Sequence, residues 1–166
     1  MTATKSMSFM EAIKACYAKY FTFSGRARRS EFWWFYLFSS IVNWIVMGAI
    51  RHFHTAAAEA FKDNITLDNL SAKMAEAEAL DSKYLTFYII AMVVLLIVTT
   101  IPLLAAHARR LHDIGKSGHL LWLTLICGIG YLIPLFMVIK DGDPQPNQYG
   151  ESPKFKEEYS LCAKAA

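Results

Sequence analysis

The chain has 166 residues, of which 55% are hydrophobic and 19% charged, and its formal net charge is +3. That is material for one small helical domain and excludes a membrane bundle joined to a separate soluble domain. Three cysteines, Cys16, Cys127 and Cys162, are an odd number and imply no disulfide framework.

The first predicted element covers residues 9–21. Phe9, Ile13, Cys16, Tyr17 and Tyr20 recur at three- and four-residue spacing, with Glu11, Lys14 and Lys19 mostly off that stripe. An amphipathic helix on the membrane surface and a helix packed against a bundle both need this stripe. Residues 22–30 follow, with Gly25 and the basic cluster Arg26, Arg28 and Arg29, and run into Glu31, Phe32, Trp33 and Trp34. Aromatic rings with a polar edge favour the headgroup level, and guanidinium groups beside them reach phosphates.

The first apolar run, 32–50, is long enough to cross a bilayer core as a helix. It starts too late and runs too long for a signal-peptide core, despite Ala56, Ala57 and Ala58 after it, so it reads as an uncleaved anchor. Asn43, near its middle, should face another helix rather than lipid. Residues 51–83 turn polar and Ala-rich, with Leu67, Leu70, Met74 and Ala77 at helical spacing after a Thr66 cap, and read as an extramembrane helical loop.

The second run, 85–106, holds thirteen Leu, Ile, Val and Phe residues between Leu85 and Leu104. At roughly −0.4 kcal/mol each they sum to about −5 kcal/mol, enough to insert unaided. Pro102 bends this helix, with Thr99 or Thr100 at hand for the freed carbonyls. The third run, 120–139, contains Gly128, Gly130 and Pro134 and should be kinked or broken. It either crosses and leaves the 140–166 tail outside or folds back, and the tail's acidity favours the crossing. The expected fold is therefore an all-α membrane protein, a small bundle of three transmembrane helices with an N-terminal interfacial helix.

Charge alternates along the chain. Residues 1–31 carry six Lys and Arg against two acids, 51–83 four against six, 107–119 three against one and 140–166 four against five. This pattern puts the N-terminus and the second basic segment in the cytoplasm of a multi-pass protein. Anionic lipid explains such basic patches before nucleic acid does.

The turn 107–119 collects His107, Arg109, Arg110, His112, Asp113, Lys116 and His119. His107 and His112 are five apart, about 140° around one helix, and no Cys or second carboxylate joins them, so no metal site is expected. Asp113 can pair with Arg109, Gly115 can end the second helix in a left-handed conformation, and Ser117 can cap the third. Gly115, Lys116 and Ser117 lack the upstream glycine of a phosphate-binding loop, since Arg110 stands there. The segment 141–152 opens like a calcium loop but has Pro146 at the sixth position and Ser152 at the twelfth, so it reads as a proline-stiffened turn.

Three pieces together carry a resemblance: residues 23–33 with Gly25, Glu31 and Trp33, residues 109–118 with His112, Asp113 and Gly115, and residues 147–153 with Asn147, Tyr149 and Gly150. This resembles the bacterial inner-membrane family catalogued as domain of unknown function 805. The resemblance covers roughly residues 9–154 and implies a small polytopic cytoplasmic-membrane protein with no assigned activity. The polar stretch from His52 to Ser82 looks longer than the family's usual connection between the first two spans.

The leading expectation is a non-enzymatic membrane component whose Arg26, Arg28, Arg29, Arg109, Arg110 and Lys116 bind anionic headgroups or a partner protein on the cytoplasmic face. The implied partners are membrane lipids, a second copy or another membrane protein, with no cofactor and no nucleic acid. An oligomeric transport subunit using Asn43, Pro102 and the 128–134 break is the alternative. An enzyme with His112 as base and Asp113 orienting it stands third.

Overall fold

The computed structural model describes residues 7–62, 66–125 and 129–153. Cys127, Gly128 and Cys162 lie outside the described residues. The elements in chain order are α1 (Phe9–Ala18), α2 (Arg29–Lys62), a 3₁₀ turn at Leu67–Asn69, α3 (Leu70–Leu95), a π-helical turn at Leu96–Thr100, α4 (Ile101–Asp113), a 3₁₀ helix at Gly118–Leu125 and α5 (Ile129–Ile139). No strand occurs among the described residues, and the chain is all-helical. Two stretches, Arg29–Glu59 and Leu70–Asp113, are helical, long and apolar enough to cross a membrane.

The chain divides into two compact units, residues 1–39 with 99–166 and residues 40–98. In the second unit, α2 continues past the apolar run to Lys62, and the polar loop is a helical extension of both long helices. Its Ala, Glu and Lys content explains this, since none of these residues stops a helix. Thr66 N–H donates to Asn69 Oδ1 at 2.8 Å where the chain turns into α3. His54 lies 3.2 Å from Asp81 and its ring 4.0 Å from that of Tyr84. Asn43 is half-buried.

In the first unit, α1 opens with a capping box, Glu11 N–H on Ser8 Oγ and Ser8 N–H on Glu11 Oε2. It ends at Ala18, sooner than its stripe suggests, because Lys19 leaves the helical region. One face of this stripe packs against the rest of the first unit. Ala12 and Cys16 are buried, and Cys16 joins Phe32, Phe35, Ala106, Leu111, Ile114 and Val138 in one core cluster. Aromatic edges complete the seam, with Tyr17 and Phe35 5.5 Å apart and Phe9 and Trp34 5.7 Å apart.

Pro102 is accommodated by the π-helical turn just before it, where the widened helix absorbs the missing donor. The described part of the third run is a 3₁₀ helix followed by α5, and Gly130 and Pro134 lie inside α5. Eight residues of 3₁₀ helix rise about 16 Å and eleven of α5 about 16 Å, each short of a core about 30 Å thick. The two pieces pack on each other and on α4.

Both ends of this run abut the last turns of α4. At its start Gly118 N–H donates to His112 Nε2 at 3.2 Å, and at its end Val138 O accepts from Arg110 Nε at 3.2 Å. His107 pairs with the Pro134 carbonyl three residues before Arg110 meets Val138, so α4 and α5 run the same way. The acidic segment after α5 therefore docks beside the basic turn, contrary to the expectation from its charge. Its backbone carbonyls, not its net charge, decide where it goes.

Candidate functional site: an arginine-clamped junction

Every α-helix leaves carbonyls without partners in its last turn. In the first unit three helices, α1, α4 and α5, end close together, and arginines supply the missing donors. Arg109 Nη1 donates to Lys19 O at 3.1 Å and Thr22 O at 2.6 Å, closing α1, while Nη2 reaches Glu31 Oε1 at 3.0 Å. Arg110 Nε holds Val138 O at 3.2 Å and Nη2 holds Lys140 O, closing α5. Arg29 Nη2 holds Ile139 O at the same end. Arg26 Nη2 donates to Asp113 O at 3.3 Å, closing α4. Cations are favoured where helix dipoles present their negative ends, so three converging C-termini call for arginine.

Asp113 is the hub. Its Oδ1 accepts Arg26 Nε at 2.8 Å and its Oδ2 accepts Arg110 Nη1, with the three side chains nearly sealed from solvent. The sequence-predicted partner was Arg109, but that residue turns to Glu31, because helical rotation sends Arg109 toward α1 and leaves Arg110 facing Asp113. Arg26 also binds the carbonyls of Gln145 at 2.9 Å, Gly150 at 3.2 Å and Asp143, and Arg28 Nε binds that of Pro153 at 2.7 Å. Residues 141–153 are thus strapped down by backbone contacts.

The motif glycines have separate reasons. Gly25 and Gly115 take φ of 84° and 71°, and Gly115 closes α4 in a Schellman arrangement, Lys116 N–H on Leu111 O and Gly115 N–H on His112 O, both at 3.0 Å. Gly142 was missed in the sequence: a Cβ there would lie 1.9 Å from Asp113 Oδ2. Gly142 lies in the segment read from the sequence as a proline-stiffened turn.

Asn147 bends the strap, accepting Tyr149 N–H on Oδ1 at 2.9 Å and donating from Nδ2 to His112 O at 2.9 Å. The bend stacks Tyr149 on His112, with centroids 3.8 Å apart and planes 5° off parallel. His112 Nδ1 lies 3.1 Å from Gly25 O and Nε2 accepts Gly118 N–H. Both ring nitrogens are therefore engaged, and Asp113 orients arginines rather than His112, so this pair is not arranged as a general base with its helper.

Among the sequence-predicted binding residues, Arg26, Arg109 and Arg110 are buried. Arg28 is half-buried, whereas Arg29 and Lys116 are exposed. Arg29 Nη1 forms a 2.8 Å surface pair with Asp141. Trp33 is 36% exposed among Phe32 and Tyr36 rings, and Phe21, Phe23 and Trp122 are exposed in the same unit. Among the described residues, no three His, Cys, Asp or Glu side chains cluster as metal ligands do.

Cys16 and His112 are among the buried groups outside the apolar run 85–106 whose acidities are shifted. Burial pushes the Cys16 thiol up to about 12, with nearby Glu31 adding to it, so this thiol is inert while the core stays closed. Burial also lowers His112, against the opposing pull of the Gly25 carbonyl. The sign follows: a lowered folded-state value means stability is present above the ordinary histidine range near 6.5 and is lost as pH falls below it. Wild type should melt earlier at pH 5.5 than at 7.5, and His112→Asn should flatten that difference, as read by thermal unfolding in detergent.

The comparisons with known proteins agree with this motif set. The family model described as "Protein of unknown function (DUF805)" matches residues 20–151, a stretch that holds Arg26, Glu31, Arg109, Arg110 and Asp113. The chain belongs to the DUF805 family. Among DUF805-like relatives, Inner membrane protein YhaI of Escherichia coli K12 is 32% identical over 136 residues, covering 82% of this chain and 89% of the relative. Inner membrane protein YhaH of the same organism is 28% identical over 137 residues, covering 82% and 91%. No solved structure is significantly similar. Kinship with inner membrane proteins and two long apolar helices support a bacterial inner-membrane location for this DUF805 member.

Proposed function

We propose that the chain is a non-enzymatic, multi-pass component of the bacterial inner membrane, with a cytoplasmic N-terminus and a basic cytoplasmic end that engages anionic lipid headgroups. The observation that carries this reading is the convergence of residues 25–31, 109–118 and 141–153 on one buried Asp113 hub. With that hub at one aqueous boundary, α2 leaves it and α3 with α4 returns, while the third run dips in and comes back. Two spans and a re-entrant hairpin replace three spans. Residues 1–31 and 107–119 together carry nine Lys and Arg against three acids, which sets that boundary in the cytoplasm.

This topology has a direct test. With the native cysteines replaced, Ser24→Cys and Gln148→Cys should react with a membrane-impermeant maleimide from the same face of oriented vesicles, and Ser71→Cys from the other. Labelling of Ser24→Cys and Gln148→Cys from opposite faces would refute it.

The clamp consumes Arg26, Arg109 and Arg110, so lipid is left to the surface cations, chiefly Arg29 and Lys116. The Arg29 pair with Asp141 is exposed and weak, and a phosphate can replace the carboxylate. The flanking aromatics favour lipid over a partner protein as the contact. At about 1 kcal/mol per cation near the surface, Arg29→Gln and Lys116→Gln should each cost roughly fivefold in preference for phosphatidylglycerol over phosphatidylcholine. Spin-labelled lipids around the reconstituted protein measure this, and a preference unchanged by the double substitution and by high salt would defeat the reading.

A further inference from the structure

The first unit holds a cavity of about 500 Å³ beside the third run. Phe23, Leu104, Ala108, Leu121 and Trp122 give it an apolar wall, and the consecutive residues Ser117, Gly118 and His119 line it together with the stacked rings of His112 and Tyr149. Leu104 belongs to the apolar run 85–106 and Ser117 to the polar turn, so the cavity straddles the boundary between hydrocarbon and headgroups. Its volume lies within the range of specific small-ligand sites. No carboxylate is among its described lining residues.

The polar end suits an anion. Ser117 Oγ and His119 Nδ1 are 2.8 Å apart, His119 N–H lies 3.2 Å from Ser117 Oγ, and the exposed Lys116 is next in the chain. His112 is spent on Gly25 and Gly118 and serves as wall. A water-soluble ligand would waste the Leu104 and Trp122 side, and a hydrocarbon would leave the Ser117 side unused. An amphiphile uses both.

We infer that this cavity is a discrete lipid site, taking one acyl chain of an anionic phospholipid with its phosphate against Ser117, His119 and Lys116. It rests on the anionic-lipid reading above but adds a saturable pocket to a diffuse surface attraction. The probes are lysophosphatidylglycerol, lysophosphatidylcholine and inorganic phosphate, titrated into the detergent-solubilised full chain and followed by native mass spectrometry.

One lysophosphatidylglycerol per chain should bind at least tenfold more tightly than lysophosphatidylcholine, and free phosphate should not compete at millimolar concentration. Ala108→Leu, which fills the cavity, should weaken that binding tenfold or more while Cys16 stays protected from maleimide. Where Ala108→Leu exposes Cys16, Trp122→Glu decides, since it places a repelling charge at a position already 68% exposed. Equal affinity for the two lysolipids overturns the anionic assignment, as does competition by phosphate alone. Tight binding that survives a folded cavity variant overturns the pocket. If the spin-label preference for phosphatidylglycerol persists while no one-to-one complex forms, the pocket fails and the surface reading stands; loss of the preference sinks the surface reading itself.

Discussion

Asp113→Ala should raise the maleimide reactivity of Cys16 by about two to three and a half orders of magnitude in a chain whose other cysteines are replaced. The carboxylate sits between Arg26 and Arg110, all three nearly sealed from water. Removing it leaves two desolvated guanidinium groups facing each other without a counter-charge, and breaking a buried pair from one side costs about 3–5 kcal/mol. Each 1.4 kcal/mol is a factor of ten in the open population. Cys16 is a fair reporter because Leu111 and Ile114, on either side of Asp113, share its core cluster. Arg29→Ala, which removes the exposed pair with Asp141 and one donor to the Ile139 carbonyl, should change the rate less than about fivefold, because Arg110 still holds that end of α5. Similar effects from the two substitutions would show that Asp113 is not a hub.

Local features of this clamp are legible in the residues themselves. Gly115 marks a helix end in a left-handed conformation, and Pro102 marks a disturbed helix. Helix periodicity finds α1, and apolar length finds the two long helices. Pairings across the chain are another matter. Arg26 and Asp113 are 87 positions apart, and local spacing offers Asp113 only neighbours such as Arg109 and Arg110. A guanidinium that binds backbone carbonyls leaves no complementary residue in the sequence to find. The strap over the clamp is of this kind, since Arg26 and Arg28 hold carbonyls of Asp143, Gln145, Gly150 and Pro153. Basic residues beside apolar runs therefore read as a lipid surface, although Arg26, Arg28, Arg29, Arg109 and Arg110 all bind backbone carbonyls.

Gly142→Ala should release the strap 141–153 while leaving the long helices intact. The glycine is needed for space: an added methyl would sit 1.9 Å from Asp113 Oδ2 and 2.9 Å from Oδ1. Asp113 cannot turn away, because Arg26 and Arg110 hold both oxygens, and Asp143 N–H donates to Asp113 O at 2.8 Å from the adjoining residue. The strap must lift instead, at a cost of about 1–3 kcal/mol for overpacking, and Tyr149 leaves His112 with it. Cleavage by chymotrypsin at Tyr149 should accelerate tenfold or more. Far-UV circular dichroism should change little, because the helices do not depend on the strap for their own hydrogen bonds. Gly48→Ala is the matched control: nothing lies within 4 Å of its added methyl, and alanine favours the helix it occupies. Protection at Tyr149 that survives Gly142→Ala would mean that Asp113 has another resting place, and the hub geometry would have to be redrawn.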